Sequence, residues 1–217
     1  MPFRDRVDAG RRLAERVRDL HLVSPLVFGL PRGGVPVAAE VAAALDAPLD
    51  VFVAMKVGTP GQIELGIGAV AEGLAEPVIS AAARQFGINA EDLEILVSRV
   101  RAELERRVVQ YRGDRPLPEL FRRDVVLVDD GLATGVTAEA ALRAVRSQRP
   151  NRLVLAAPVC SPETAARLAA IADDVVCVES PDYFLAVGQY YRDFSQTTDD
   201  EVVHTLARAR AGIDAEN

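Results

Sequence analysis

Apolar residues along this chain follow two rhythms that take turns. In Asp5–Leu20, Val7, Leu13, Val17 and Leu20 recur at helical spacing, the stripe of an amphipathic helix. Pro25–Leu30 is a short apolar run closed by Pro31-Arg32-Gly33-Gly34, and Val35–Leu45 returns to a helical pattern rich in Ala and Val. Leu49–Val57 is almost continuously apolar, which predicts one strand buried on both faces. Gly58–Gly66 carries Gly-Thr-Pro-Gly turn chemistry and predicts an exposed loop. Ile67–Ala71 and Pro77–Ser80 predict short strands of a hairpin. Asn89–Gly113 predicts a helix: Asn89 caps it, Glu91 and Asp92 suit its positive end, and Gly113 stops it.

The second half keeps the alternation. Asp124–Asp130 is the clearest strand in the sequence, followed by a helix over Thr137–Gln148 and a strand over Arg152–Val159. Pro162–Ile171 predicts a helix and Val175–Glu179 a strand. Pro181–Thr198 has no clear period and is dense in Tyr and Phe, and Thr198–Arg210 predicts a closing helix capped by Thr198 or Asp199. Strands alternating with helices predict an α/β fold, Rossmann-like, with a mostly parallel sheet flanked by helices. No repeat, low-complexity tract or linker divides residues 1–217, so a single domain is expected. Its core spans about 22–180, with a small hood from 1–21 and 181–217.

Composition narrows the function. Hydrophobic residues make up 49% of the chain but aromatics only 5%, so Val, Leu and Ala must fill the core. A formal charge of −7 argues against a general nucleic-acid binder, which needs a basic face, while leaving room for a local basic cleft. Arg99, Arg101, Arg106, Arg107 and Arg112 lie among Glu103 and Glu105 and read as a solvated helix face. No run reaches the length of a membrane span, and the charged N-terminus lacks the apolar core of a signal peptide. Cys160 and Cys177 sit in apolar surroundings and read as unbridged core residues of a reduced, cytoplasmic protein. His21 and His204 fall away from the motifs and read as structural or surface residues.

The decisive stretch is Val125-Val126-Leu127-Val128-Asp129-Asp130-Gly131-Leu132-Ala133-Thr134-Gly135-Val136-Thr137. An apolar strand delivers two adjacent carboxylates to its C-terminal edge, where ligands bind in open α/β sheets. The small-residue loop from Ala133 to Thr137 then enters a helix, so successive N–H groups, with the Thr134 and Thr137 hydroxyls, can surround one phosphate. Carboxylates beside a phosphate cradle repel it unless something between them donates to the acids. A ribose 5-phosphate does. The Gly-Lys-Ser/Thr ending of a Walker loop is missing, and the acids precede the loop, unlike a dinucleotide fingerprint.

This segment resembles the motif with which type I phosphoribosyltransferases bind 5-phosphoribosyl 1-pyrophosphate (PRPP). The resemblance implies that Asp129 and Asp130 hold the ribose hydroxyls and that Ala133, Thr134, Gly135, Val136 and Thr137 hold the 5-phosphate. It also implies a pyrophosphate loop after the first core strand, often with a cis peptide. Pro31-Arg32-Gly33-Gly34 fits: Gly33 and Gly34 can expose N–H groups, and Arg32 offers a fork matched to phosphate oxygens. Lys56, the single lysine, ends the second predicted strand and is a candidate pyrophosphate ligand. Gly58–Gly66 falls where the family carries a lid, with Gln62 and Glu64 as candidate lid contacts.

The implied reaction transfers the phosphoribosyl group to a nucleobase or other small nucleophile and releases pyrophosphate. Asp129, Asp130, Arg32 and Lys56 carry the catalytic roles, and Mg²⁺ enters bridged by substrate with no dedicated protein ligands. For the acceptor, Pro181–Phe194 resembles the base-binding segment of 6-oxopurine phosphoribosyltransferases, with Tyr183 or Phe184 to stack and Asp193 to accept an N–H. Two positions depart from that subfamily: Ala133 replaces the loop acid, and Val159-Cys160-Ser161-Pro162 stands where a lysine is expected. Ala133 is instead what adenine-type relatives show.

The partners are therefore PRPP and a small-molecule acceptor, without nucleic acid or membrane, in a chain whose state as monomer or homo-oligomer is left open. A non-catalytic sensor of PRPP or a nucleotide is the main alternative, and a different phosphoester or acyl chemistry on the same scaffold is the third.

Overall fold

Val125 and Leu127 project to one side of their strand and Val126 and Val128 to the other, and all four are fully buried. Such a strand must be covered on both faces. A computed structural model describes residues 2–59, 62–80 and 89–216, the side chains at 59, 62–66 and 212–216 excepted. In chain order the strands are β1 (Leu26–Gly29), β2 (Leu49–Val51), β3 (Ala54–Thr59), β4 (Gln62–Ala71), β5 (Val78–Ile79), β6 (Asp124–Val128), β7 (Arg152–Val159) and β8 (Asp174–Glu179). The helices are α1 (Arg6–Arg18), α2 (Gly34–Leu45), α3 (Ala90–Arg112), α4 (Val136–Ser147), α5 (Pro162–Leu168) and α6 (Asp199–Glu216).

The main sheet is parallel throughout, in the order β2-β1-β6-β7-β8. On one face Val27, Val126, Val128 and Val154 pack with Leu13 and Val17 of α1, Val37 and Val41 of α2, and Leu206 of α6. On the other, Phe28, Leu127 and Leu155 pack with Leu142 and Val145 of α4 and with Ala69 and Ala71 of β4. The chain winds outward from β1 through α2 to β2, and from β6 through α4 to β7 in the opposite direction. The order therefore reverses between β1 and β6, the switch point where such sheets bind ligands. The Rossmann-like α/β architecture is as the alternation predicts.

Local signals set several boundaries. The Asn89 carboxamide accepts the Asp92 N–H at 2.8 Å, and Gly113 closes α3 with a φ of 64°. Thr198 and Glu201 form a reciprocal capping box at the start of α6.

Four sequence expectations are corrected. Leu49–Val57 is not one strand: β2 stays in the main sheet, while β3 leaves it to pair antiparallel with β4 in a second sheet, β3-β4-β5. Phe52 and Val53 at the break are as buried as the strands, so hydrophobicity alone cannot mark it. Polar groups do: the Glu72 carboxylate accepts the Val53 N–H at 2.8 Å, and Arg112 donates to the Val51 carbonyl at 2.7 Å.

Gly58–Gly66 is not a loop throughout. Gly58 pairs with Gly66 and Thr59 with Gln62 in the β3–β4 ladder. The side chains of Gln62 and Glu64, and with them the expected lid contacts, lie outside the described residues.

Arg112 does not belong to a solvated face. It is 4% exposed and held bidentate by Glu72, at 2.7 and 2.9 Å. Finally, Cys160 and Cys177 are bridged by a disulfide with a Cα separation of 6.1 Å. The pairing depends on the register of β7 on β8, which sets Val159 opposite Glu179 and which linear spacing does not reveal. With the bridge, free thiols no longer argue for a reducing compartment. Among the described residues no helix is long and apolar enough to cross a membrane.

Candidate active site

The loops after β1 and β6 meet at the switch point because glycine lets them touch. Leu30 donates to the Val128 carbonyl at 2.8 Å, and a Cβ on Gly34 would stand 2.5 Å from that same oxygen. A Cβ on Gly33 would collide with Oδ2 of Asp130. Gly33 has an ordinary helical φ of −64°, so it is required for space and not for backbone freedom. The Pro31–Arg32 peptide is cis, as the resemblance implies. Gly34 spends its N–H on the Leu30 carbonyl at 3.0 Å, which corrects the expectation that both glycines expose donors. The N–H groups of Arg32 and Gly33 have no acceptor among the described residues.

Asp129 and Asp130 follow directly from β6 and are both half-buried. Oδ1 of Asp129 accepts the Asp130 N–H at 2.8 Å. Arg6 places Nε and Nη2 on Oδ2 of Asp130 at 2.9 and 2.8 Å. Burial pushes the Asp129 carboxyl up to about 8, reinforced by the charge of Asp130. Burial also raises Asp130, against the pull of the Arg6 guanidinium. The Tyr191 hydroxyl donates to the Asp130 carbonyl at 2.6 Å and is itself held above its ordinary value by burial.

The next loop has the make-up of an anion cradle. The N–H groups of Ala133, Thr134, Gly135, Val136 and Thr137 have no acceptor among the described residues, and neither do the Thr134 and Thr137 hydroxyls. The loop's carbonyls are drawn the other way. Thr164 donates to the Ala133 carbonyl at 2.5 Å, and Arg167 donates to that of Thr134 at 2.5 Å. Since C=O and the following N–H point in opposite directions across a trans peptide, α5 turns the amides of Thr134 and Gly135 outward. Gly135 takes a φ of 64° to bend into α4, whose N-terminus adds its dipole.

The remaining candidates are less concentrated. Arg32 and Lys56 are half-buried, and neither side chain makes a hydrogen bond or ion pair among the described residues. Lys56 does not end the second strand. It lies within β3, opposite Ala69 in the second sheet. Phe184 stacks on Tyr190 with ring centres 5.5 Å apart. With Asp182 and Leu185 it walls a groove of about 500 Å³ whose other side is Ala133, Thr134, Ser161, Pro162 and Glu163. Tyr183 is 92% exposed, and Asp193 is turned to accept the Ser195 N–H at 2.9 Å, so neither lines that groove. Sequence reasoning passed over Arg6, Tyr191, Thr164 and Arg167. None stands in the motif, and nothing in their local sequence marks them.

Comparisons with known proteins show the family and the fold. The phosphoribosyl transferase domain family matches residues 4–195. The chain is 46% identical over 207 residues to the "putative phosphoribosyl transferase Rv0571c" of Mycobacterium tuberculosis, a match covering 95% of this chain and 47% of that protein. It thus spans about half the length of the curated relatives it matches. The crystal structure of TT1426 from Thermus thermophilus is 48% identical, with a TM-score of 0.79 over 96% of this chain and 99% of that one. The AQ2163 protein of Aquifex aeolicus, 13% identical with a TM-score of 0.50 over 91% and 82% of the two chains, shares the fold alone.

Proposed function

This chain belongs to the phosphoribosyl transferase domain family, and on that premise we propose that it binds PRPP with Mg²⁺ and transfers the phosphoribosyl group to a small nucleophile. One observation carries the reading: two half-buried carboxylates precede, within one loop, a run of five backbone N–H groups that have no acceptor among the described residues. Ribose hydroxyls donate to Asp129 and Asp130, while the 5-phosphate takes the N–H groups of Ala133, Thr134, Gly135, Val136 and Thr137. Arg32, the Gly33 N–H and Lys56 receive the pyrophosphate. With both ends of PRPP fixed, the bond from C1 of the ribose to pyrophosphate stretches towards an oxocarbenium ion, and an acceptor enters from the opposite side.

Among the described residues no group of three or more His, Cys, Asp or Glu side chains is gathered to hold a metal. The carboxylates of Asp129 and Asp130 would face an ion brought in by the substrate, and such an ion would supply positive charge to offset that of the departing pyrophosphate.

The hood expected from residues 1–21 and 181–217 is part of this proposal. Phe3 exchanges backbone hydrogen bonds with Tyr190 and Arg192 at 2.7 and 2.8 Å, so the stretch before α1 and the segment around Tyr191 form one small unit beside the acids, whereas α1 and α6 pack in the main core. Phe184 is the acceptor-stacking candidate favoured by the groove; Tyr183 and Asp193 have weaker geometric support. A cytoplasmic location stays within the proposal on family grounds. The sensor reading rests on the fold alone, which hosts more than one function.

Pyrophosphate release from PRPP and Mg²⁺ across a panel of bases tests the proposal. Turnover with any acceptor establishes the enzyme, whereas tight PRPP binding without release establishes the sensor. Thr134→Ala and Asp129→Asn weaken PRPP binding in either case. Parent-like binding by both variants refutes the cradle.

A further inference from the structure

A buried pair of like charges needs a partner, and here it comes from the far end of the sequence. Arg6, on the first turn of α1, lies 124 positions from Asp130. Its guanidinium reaches three groups: Oδ2 of Asp130, the Ser195 carbonyl at 2.7 Å and the Phe194 ring, whose centre is 4.1 Å away. The Arg6 side chain is only 12% exposed and that of Asp130 16%, so this is an interior ion pair and not a surface one.

The atoms used matter more than the pairing itself. Both guanidinium contacts fall on Oδ2 of Asp130, the oxygen that presses on Gly33. Among the described residues no side chain or neighbouring N–H pairs with Oδ1 of Asp130. Asp129 shows the same division, with Oδ1 taken by the Asp130 N–H and Oδ2 unpaired among the described residues. Neither leftover oxygen is among the enclosed, unpartnered side-chain atoms, which among the described residues are confined to Arg112 and Arg210. Each acid thus keeps one reachable acceptor, which matches the two hydroxyls of a ribose.

Resting on the PRPP reading above, we propose that Arg6 is a positioning residue of the ribose site. It fixes Asp130 through Oδ2 so that Oδ1 stays available to a ribose hydroxyl, and it ties α1 and the Phe194–Ser195 segment to the acid pair. The N-terminal helix is on this account part of the substrate site although it touches no substrate.

PRPP–Mg²⁺ binding is measured by titration calorimetry on the parent, Arg6→Gln, Arg6→Lys and Arg11→Ala, with thermal melting of each. Arg11 is exposed on the same helix and pairs with half-buried Glu40, so Arg11→Ala reports α1 stability alone. Arg6→Gln, which keeps a donor but no charge, is expected to bind PRPP at least tenfold more weakly. Arg6→Lys recovers most of that loss, and Arg11→Ala binds like the parent. Parent-like affinity in Arg6→Gln overturns the inference. So does equal weakening in Arg6→Gln and Arg6→Lys that tracks their loss of melting temperature, which is the behaviour of a structural residue only. A parent that fails to bind PRPP instead removes the underlying reading, and that result is in hand before any variant is compared.

Discussion

Gly33 lies so close to Asp130 that a single methyl group on its Cα would occupy the place of the carboxylate oxygen Oδ2. The pyrophosphate-loop candidate and the ribose-site candidate therefore share one contact surface. Gly33→Ala must push Asp130 off Arg6 or shift the loop, a cost of about 1–3 kcal/mol for overpacking. Urea unfolding and PRPP titration on this variant are expected to show both a stability loss of that size and a loss of binding. Unchanged binding would separate the two loops functionally.

Asp129 makes stability and binding respond oppositely to pH. Its carboxyl, ordinarily at 3.8, is pushed up to about 8 by burial and by Asp130. The folded chain thus keeps a proton that the unfolded chain has lost, so this group's contribution is present below 3.8 and disappears as pH rises towards 8. The charged groups facing it are Asp130 and Arg6, with Tyr191 held neutral by its own raised value. Hydroxyl donation from ribose needs the ionised acids, so PRPP affinity rises over the same interval. Asp129→Asn removes both effects: it melts higher than the parent at about pH 8–9, with the advantage fading at about pH 5, and it binds PRPP weakly throughout. Melting curves of the two proteins at both pH values decide it, because exposed groups such as Glu103, held at about 2 by Arg106 and Arg107, cancel in the difference.

How far the sequence carried this picture depends on the range of the interaction. The unbroken apolar run Val125–Val128, buried on both faces, and the caps at Asn89 and Thr198 are local, and they were readable. The Asp-Asp motif was equally local, since strand, acids and loop are contiguous. The break after Val51 was not legible, because Phe52 and Val53 are apolar and the groups that mark it, Glu72 and Arg112, come from later in the chain. The same holds for the Cys160–Cys177 pairing and for Arg6, each fixed by register or packing between distant segments. Gly33 was singled out for exposing its N–H, and the room it leaves for Asp130 was not legible, because Asp130 comes from a distant segment.

Gly135 combines a backbone need with a packing need. Its φ is 64°, and a Cβ would stand 2.5 Å from Cγ2 of Thr164 and 3.0 Å from Cδ1 of Leu168. Gly135→Ala is expected to cost about 1–2 kcal/mol from the left-handed backbone, with crowding against α5 added to that. It also swings the cradle amides, so inorganic phosphate and PRPP should both bind more weakly. Phosphate titration followed by NMR of the loop amides gives the answer without knowledge of the acceptor. Loop amides that stay unshifted in the parent on adding phosphate would remove Ala133–Thr137 from the phosphate site.

Lys56 permits a test that few proteins allow, because it is the single lysine of the chain. Its ammonium group has no hydrogen bond or ion pair among the described residues, so Lys56→Met should change stability by no more than about 0.5 kcal/mol. If it receives the pyrophosphate, the lost charged hydrogen bond weakens PRPP binding roughly tenfold to a hundredfold. Amine-selective acetylation then modifies one side chain, apart from the α-amino group, and mass spectrometry reads its extent directly. PRPP with Mg²⁺ is expected to slow acetylation of Lys56, whereas ribose 5-phosphate, which lacks the pyrophosphate, leaves it unprotected. Equal labelling with and without PRPP, together with unaltered affinity in Lys56→Met, would take the lysine out of the site. Arg32 and the loop amides would then hold the pyrophosphate without it.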